Sequence, residues 1–251
     1  MTARRDLAGT KALVTGGNQG FGFALAGALA RAGAEVVICG RRQDAVEGAC
    51  ARLPGVHGVC ADVTHSAERS RLLATAAEQM GGLTLLVNNA AIQNPMRFTA
   101  ASAPQLAGVA ERELAADLLA PIALTTEALP YLAGEPDAAV AFLTSTLGFM
   151  PKQSAPVYCA AKAGVQAFAE SLRHQWRNGQ GPRSITILLP LVDTKMTQGR
   201  GRAKVSPQRA ADAAVRALLR GRDDIVVPPA GVVRRLHGWA PQLVGRVTRD
   251  S

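Results

Sequence analysis

The 251-residue chain lacks any run approaching the ~18 consecutive apolar residues that a membrane span requires. Its opening, MTARRDLAGT, has no apolar core of the kind a secretory signal carries, so a cytoplasmic protein is expected. Cysteine is scarce. Cys39, Cys50, Cys60 and Cys159 form no C-x-x-C pair and have no histidines at metal-ligating spacing, which argues against zinc and against a thioredoxin-type couple. No metal site is expected, and the four thiols read as reduced. Aromatic residues are only 4% of the chain and none interleaves the basic ones in a stacking pattern, which weakens a single-strand nucleic-acid reading. Repeats and low-complexity linkers are missing, with no composition break before about residue 195, so one domain spanning 1–251 is the economical reading.

What is present is ordinary in bulk, 48% hydrophobic and 19% charged, but uneven in charge. Twelve Lys and Arg from Lys195 onward, against Asp212, Asp223, Asp224 and Asp250, carry +8 of the net +9. Such a segment attracts nucleic acid, an anionic membrane surface or an acidic substrate, and an arginine-rich solvated surface reads the same way. The end, GVVRRLHGWAPQLVGRVTRDS, fits an amphipathic helix with Trp239 as an interface anchor. Docking on the domain or on a sister subunit explains it equally. Residues 230–251 therefore count as a basic C-terminal extension; nucleic acid is not expected as a partner, and a membrane surface is open but not favoured.

Apolar runs alternate with longer helical patterns, the signature of repeated βαβ units. The runs are 11–15, 35–39, 56–60, 83–87, 139–144, 184–189 and 224–227, and most lack polar alternation, as strands buried on both faces should. Helices are expected near 20–32, 42–52, 66–80, 102–133, 156–178 and 207–220, with Pro121 kinking the fourth. The fold class is α/β: a single-domain Rossmann fold, a doubly wound seven-stranded parallel sheet with helices on both faces.

The first βαβ unit holds a glycine cluster that fits neither G-x-G-x-x-G nor G-x-x-x-x-G-K, because Leu25 and Phe23 stand where glycine and lysine would be needed. Thr15, Gly16, Gly20 and Gly22 instead form T-G-x-x-x-G-x-G, between a strand and a helix. Glycines there let the backbone approach a pyrophosphate at the positive end of the following helix, although a turn with packing duties alone would look similar. Further along lie Asp62-Val63, NNAA (Asn88 to Ala91), Ser145, Tyr158 thirteen residues on, Lys162 four after that, and LLPLVDTKM (188–196). In this order and spacing the chain resembles the short-chain dehydrogenase/reductase family over about residues 10–197. Within it, NNAAIQ, APVYCAAKA and SLRHQW look similar to the DltE-like subgroup.

The resemblance implies an NADP(H)-dependent oxidoreductase moving a hydride between nicotinamide and a carbonyl or secondary alcohol. The cofactor would be held by Thr15, Gly16, Asn18, Gln19, Gly20, Phe21 and Gly22, by Asp62 and Val63, by Asn89, Ala90 and Ala91, and by Pro190, Val192 and Thr194. Where an NAD enzyme usually carries an acid after the second strand, this chain has Gly40, Arg41 and Arg42, and a guanidinium pairs well with a 2′-phosphate, so NADP(H) is favoured over NAD(H). A phenol of pKa near 10 needs a cation to work at neutral pH, and a lysine four residues on along a helix shares its face. Tyr158 is thus expected to be the general acid/base with Lys162 its cationic neighbour and Ser145 steadying the substrate oxygen, and the resemblance implies that Lys162 also holds the nicotinamide ribose.

Two positions depart from the family. Asp117, in DLLAPIALT, stands where the family has an asparagine, and Ala91 replaces a glycine. Asp117 opens the alternative of a catalytically impaired cofactor-binding sensor or scaffold. Met96, Phe98, Leu147, Phe149, Met150 and Met196 are expected to make an apolar pocket for a medium-sized small-molecule substrate, with Arg97, Lys152 and Lys195 at its mouth. Residues 197–207, glycine-rich and basic, are expected to form a substrate lid, and a plain surface loop fits them equally. Family resemblance implies a homotetramer or homodimer through the helices at 102–133 and 156–178.

Overall fold

The computed structural model describes residues 6–199, 201 and 204–239. Residues 200 and 202–203 of the expected lid and 240–251 of the basic extension lie outside the described residues. Each apolar run forms a strand: β1 (Lys11–Thr15), β2 (Glu35–Gly40), β3 (Val56–Cys60), β4 (Leu85–Asn88), β5 (Ala139–Ser145), β6 (Arg183–Leu189) and β7 (Asp224–Val226). They pair in parallel in the order β3-β2-β1-β4-β5-β6-β7. After β3 the chain crosses to the other side of β1 to begin β4, which opens a crevice at the carboxyl ends of these two neighbours.

Strand residues alternate between two cores. Ala12, Val14, Val36, Ile38, Ala141 and Leu143 pack with Leu25 and Leu29 of α1 (Gly20–Arg31) and Ala210 and Ala214 of α7 (Pro207–Leu219). Leu13, Val37, Val140 and Phe142 pack on the opposite face with Leu72 and Leu73 of α3 (Ser66–Met80), Leu124 of α5 (Ala120–Leu132) and Val165 of α6 (Pro156–Gln175). Both faces are covered, so the strands are mainly apolar, each fully buried Leu, Ile or Val contributing about 1.5–3 kcal/mol. The remaining helices are α2 (Gln43–Cys50), α4 (Ala103–Leu114) and α8 (Ala230–Trp239).

The expected helix over 102–133 is interrupted earlier than Pro121. A π turn over Ala115–Leu119 separates α4 from α5, and Pro121 sits in the first turn of α5, where a missing N–H costs little. Pro121 has no N–H to offer the carbonyl of Asp117 four residues back.

Candidate active site

The glycine loop is tied down before it holds anything. Thr15 ends β1 buried, and its Oγ1 donates to the Val87 carbonyl at 3.2 Å while accepting from the backbone N–H groups of Asn89 at 2.9 Å and Ala90 at 3.0 Å. Asn89 returns the contact, its Nδ2 donating to the carbonyls of Thr15 at 2.7 Å and Gly16 at 3.2 Å. Two glycines are required by this clamp. Gly16 has φ +63°, and a Cβ at Gly22 would run into Asn89 Nδ2 and the Gly16 carbonyl. The helix that follows, α1, has neither a side-chain cap nor an acid in its first turn, so its free N–H groups and positive end are left for an anion. Gly17 was missed by the motif reading; its N–H donates to Cys39 O at 3.1 Å, and a side chain there would meet Ile38. The doublet Gly16-Gly17 was its only sequence signal.

A cavity of about 540 Å³ opens above the crevice. From the β1 to β3 side it is lined by Gly16, Asn18, Gln19, Gly20, Phe21, Gly22, Arg41, Asp62 and Val63, and from the β4 to β6 side by Asn89, Ala90, Ala91, Ser145, Tyr158, Lys162, Pro190, Val192 and Thr194. Of the site residues expected from sequence, three stand outside the lining. Thr15 lies behind the loop as described. Arg42 turns away to pair with Asp44 at 3.2 Å on an exposed surface. Asp117 lies beneath the cavity, wholly buried. Asp62 is half-buried; burial pushes its carboxyl up, but hydrogen bonds from the Thr64 backbone N–H and hydroxyl, at 2.9 and 2.7 Å, together with the charge of Arg41, hold it below the usual range. Thr194 is fixed by a reciprocal cap with Thr197, whose hydroxyl also donates to Val192 O at 2.6 Å.

Ser145 closes β5 and Tyr158 and Lys162 share the inner face of α6, so two elements bring these three groups to one wall. Ser145 hydrogen-bonds the Tyr158 phenol. Lys162 is 5% exposed, its Nζ donates to Leu143 O at 3.3 Å, and it lies 5.5 Å from the centre of the Tyr158 ring. Burial pulls the Lys162 ammonium down, opposed by Asp117. Burial first, and then the charge of Asp117, raise the Tyr158 phenol above its ordinary value, against the hydrogen bond from Ser145. The expected lowering of the phenol by Lys162 is not found in this geometry; the one group that lowers it is Ser145.

Asp117, in the π turn, accepts from the Ile92 N–H at 2.7 Å through Oδ1, while Oδ2 is buried without a hydrogen-bond partner. Burial pushes its carboxyl up to about 7, opposed by Lys162 and the Ile92 bond and aided by Glu113. Glu113, one turn earlier, went unnoticed because ERELAADL reads as a solvated stretch. It is fully buried, and its Oε2 accepts from the backbone and side-chain nitrogens of Asn94, both at 2.8 Å.

On the side away from the glycine loop, Leu147, Met150, Met196, Lys152 and Lys195 line the cavity as expected. Met96 is buried outside the lining, Phe98 is 61% exposed, Arg97 is absent from the wall, and Phe149 packs edge-on against His237 with ring centres 5.3 Å apart. Ile92, Leu191, Pro229 and Val233 complete the apolar wall without local sequence signal. Among the described residues no group of three or more His, Cys, Asp or Glu could hold a metal, and no helix is long and apolar enough to cross a membrane.

A family model described as short chain dehydrogenase matches residues 10–205. The uncharacterized oxidoreductase DltE of Bacillus subtilis (strain 168) is 36% identical over 186 residues, 74% of this chain and 73% of that one. The hydroxysteroid 11-beta-dehydrogenase 1-like protein of Xenopus tropicalis is 32% identical over 223 residues, 86% of this chain and 76% of that one. In structure, a short chain dehydrogenase/reductase from Burkholderia phymatum, solved in complex with NAD, superposes with a TM-score of 0.83 at 22% identity, covering 97% of this chain and 96% of that one.

Proposed function

Since the chain belongs to the short-chain dehydrogenase family, we propose that it is an NADP(H)-dependent oxidoreductase acting on a carbonyl or secondary alcohol of a medium-sized, mainly apolar substrate. One observation carries the reading: Ser145, Tyr158 and Lys162 meet on the wall of the same cavity that the glycine loop and the open end of α1 line. A dinucleotide suits these residues, because the cradle around Gly22 admits backbone but no side chain and the uncapped N–H groups of α1 receive a pyrophosphate. Arg41 faces the cavity and would pair with a 2′-phosphate, Asp62 and Val63 would hold the adenine end, and Thr194 with the backbone near Val192 would hold the carboxamide. The bound cofactor supplies or accepts the hydride.

The chain's own groups handle the proton. Tyr158 donates it to the carbonyl oxygen during reduction and receives it back during oxidation. Ser145, already bonded to the phenol, steadies the developing alkoxide, and the Lys162 ammonium balances negative charge on the phenol oxygen. Leu147, Met150, Met196 and Val233 keep the substrate side dry.

Titration with NADPH and NADH by fluorescence, followed by a carbonyl panel with NADPH, tests the reading. Tyr158→Phe should bind NADPH as wild type does and lose activity by about 10²–10⁴-fold. Tight NADPH binding with no turnover on any carbonyl would favour a sensor instead, and turnover undiminished by Tyr158→Phe would sink the mechanism.

A further inference from the structure

The helix that completes the apolar wall of the cavity has a second side that stands in solvent. Along α8, Ala230 is buried, Val233 lines the cavity and His237 packs edge-on against Phe149, so these three positions face inward. Val232, Leu236 and Trp239 lie on the other side, 59%, 55% and 92% exposed. Spacings of four and three residues align them in one stripe along the helix. They are half of the six large apolar side chains exposed among the described residues, gathered on a helix of ten residues. Docking on the domain therefore accounts for the inner positions of α8 but not for the stripe.

The charge around the stripe has one sign. Arg235 is exposed beside Leu236 and has no ion-pair partner among the described residues, while Arg234 pairs with Asp224 at 2.8 Å. From Ile225 to Arg249 the sequence holds four arginines and no acid. Apolar side chains ending in a tryptophan, flanked by arginine, are what a helix lying in the interface of an anionic bilayer presents. A second copy of the chain is the poorer match. Three side chains fall far short of the roughly 20–30 residues a side of a standard protein interface, and α8 against α8 would set arginine against arginine.

We propose that α8 docks the protein on an anionic lipid surface, with Val232, Leu236 and Trp239 entering the boundary between headgroups and acyl chains and Arg235 pairing with lipid phosphates. Because Val233 on the same helix lines the cavity, docking sets the apolar wall of the cavity one helix away from the lipid. The docking does not depend on which reaction the cavity performs.

Flotation of the full chain with lipid vesicles tests this without cofactor or substrate. Vesicles of phosphatidylcholine and phosphatidylglycerol should carry the protein at low salt, and pure phosphatidylcholine should bind it at least about tenfold more weakly. Leu236→Ser and Trp239→Ser keep the net charge and change only exposed side chains; each should weaken binding to the anionic vesicles by about tenfold. Arg235→Gln, which keeps the stripe, should weaken it about fivefold. All three variants should bind NADPH as wild type does, which shows that the fold is intact. Wild type that fails to float with anionic vesicles, floats equally with neutral ones, or is matched by Leu236→Ser and Trp239→Ser overturns the proposal. So does an oligomer in gel filtration that Leu236→Ser splits, since that result gives the stripe to a second copy.

Discussion

Arg41 and Arg42 show how much rides on the direction of a single side chain. Both follow β2, yet one lines the cavity and the other pairs with Asp44 in solvent. Arg41→Ala should weaken NADPH by about 10- to 100-fold, the loss of a charge-assisted hydrogen bond of about 1.5–3 kcal/mol, and leave NADH nearly unchanged. Arg42→Ala should bind both as wild type does, since exposed pairs contribute about 0–1 kcal/mol. Fluorescence titration of the four combinations checks this, and equal weakening of both cofactors by Arg41→Ala would remove the phosphate from the argument. The motif carried the neighbourhood but not the choice, because successive residues leaving a strand diverge and their side-chain directions are settled by the turn that follows. Glu113 was illegible for a related reason: a charged residue in a polar helical stretch reads as solvated until the loop it anchors is seen.

At the level of elements, the strands were legible because a sheet covered on both faces leaves unbroken apolar runs, and all seven appear within a residue or two of the expected spans. The π turn at Ala115–Leu119 was not, since one extra residue per turn leaves no signature in composition or period. Its effect is local and large, because it sets Asp117 beneath the cavity while Glu113 reaches Asn94. The glycine loop is more demanding. Gly22→Ala should push Asn89 off the Thr15 and Gly16 carbonyls, costing about 1–3 kcal/mol of stability and raising the NADPH dissociation constant at least tenfold. Chemical denaturation beside cofactor titration measures both, and a variant with unchanged affinity would show that the clamp has no part in binding.

For the whole molecule, a ligand that spans both halves of the sheet across the crevice stabilises the fold by mass action. At a concentration a hundred times its dissociation constant NADPH should add about 2.7 kcal/mol, a rise in Tm of roughly 5–10 °C for a chain of this size, with NADH giving less at equal concentration. Thermal scans at matched concentrations test the preference without any substrate, and identical shifts would contradict it. The doubly wound architecture could be read from the alternation of apolar runs and helical patterns, and the grouping of Ser145, Tyr158 and Lys162 from the resemblance to a family's motifs, whereas the substrate wall could not, because its members come from segments far apart in the chain. The family match ends at residue 205, yet Pro229, just before α8, and Val233, in its first turn, are part of that wall. One cavity is thus assembled from two kinds of chain: the glycine loop and the wall of Ser145, Tyr158 and Lys162 come from within the family match, and part of the apolar wall comes from beyond it.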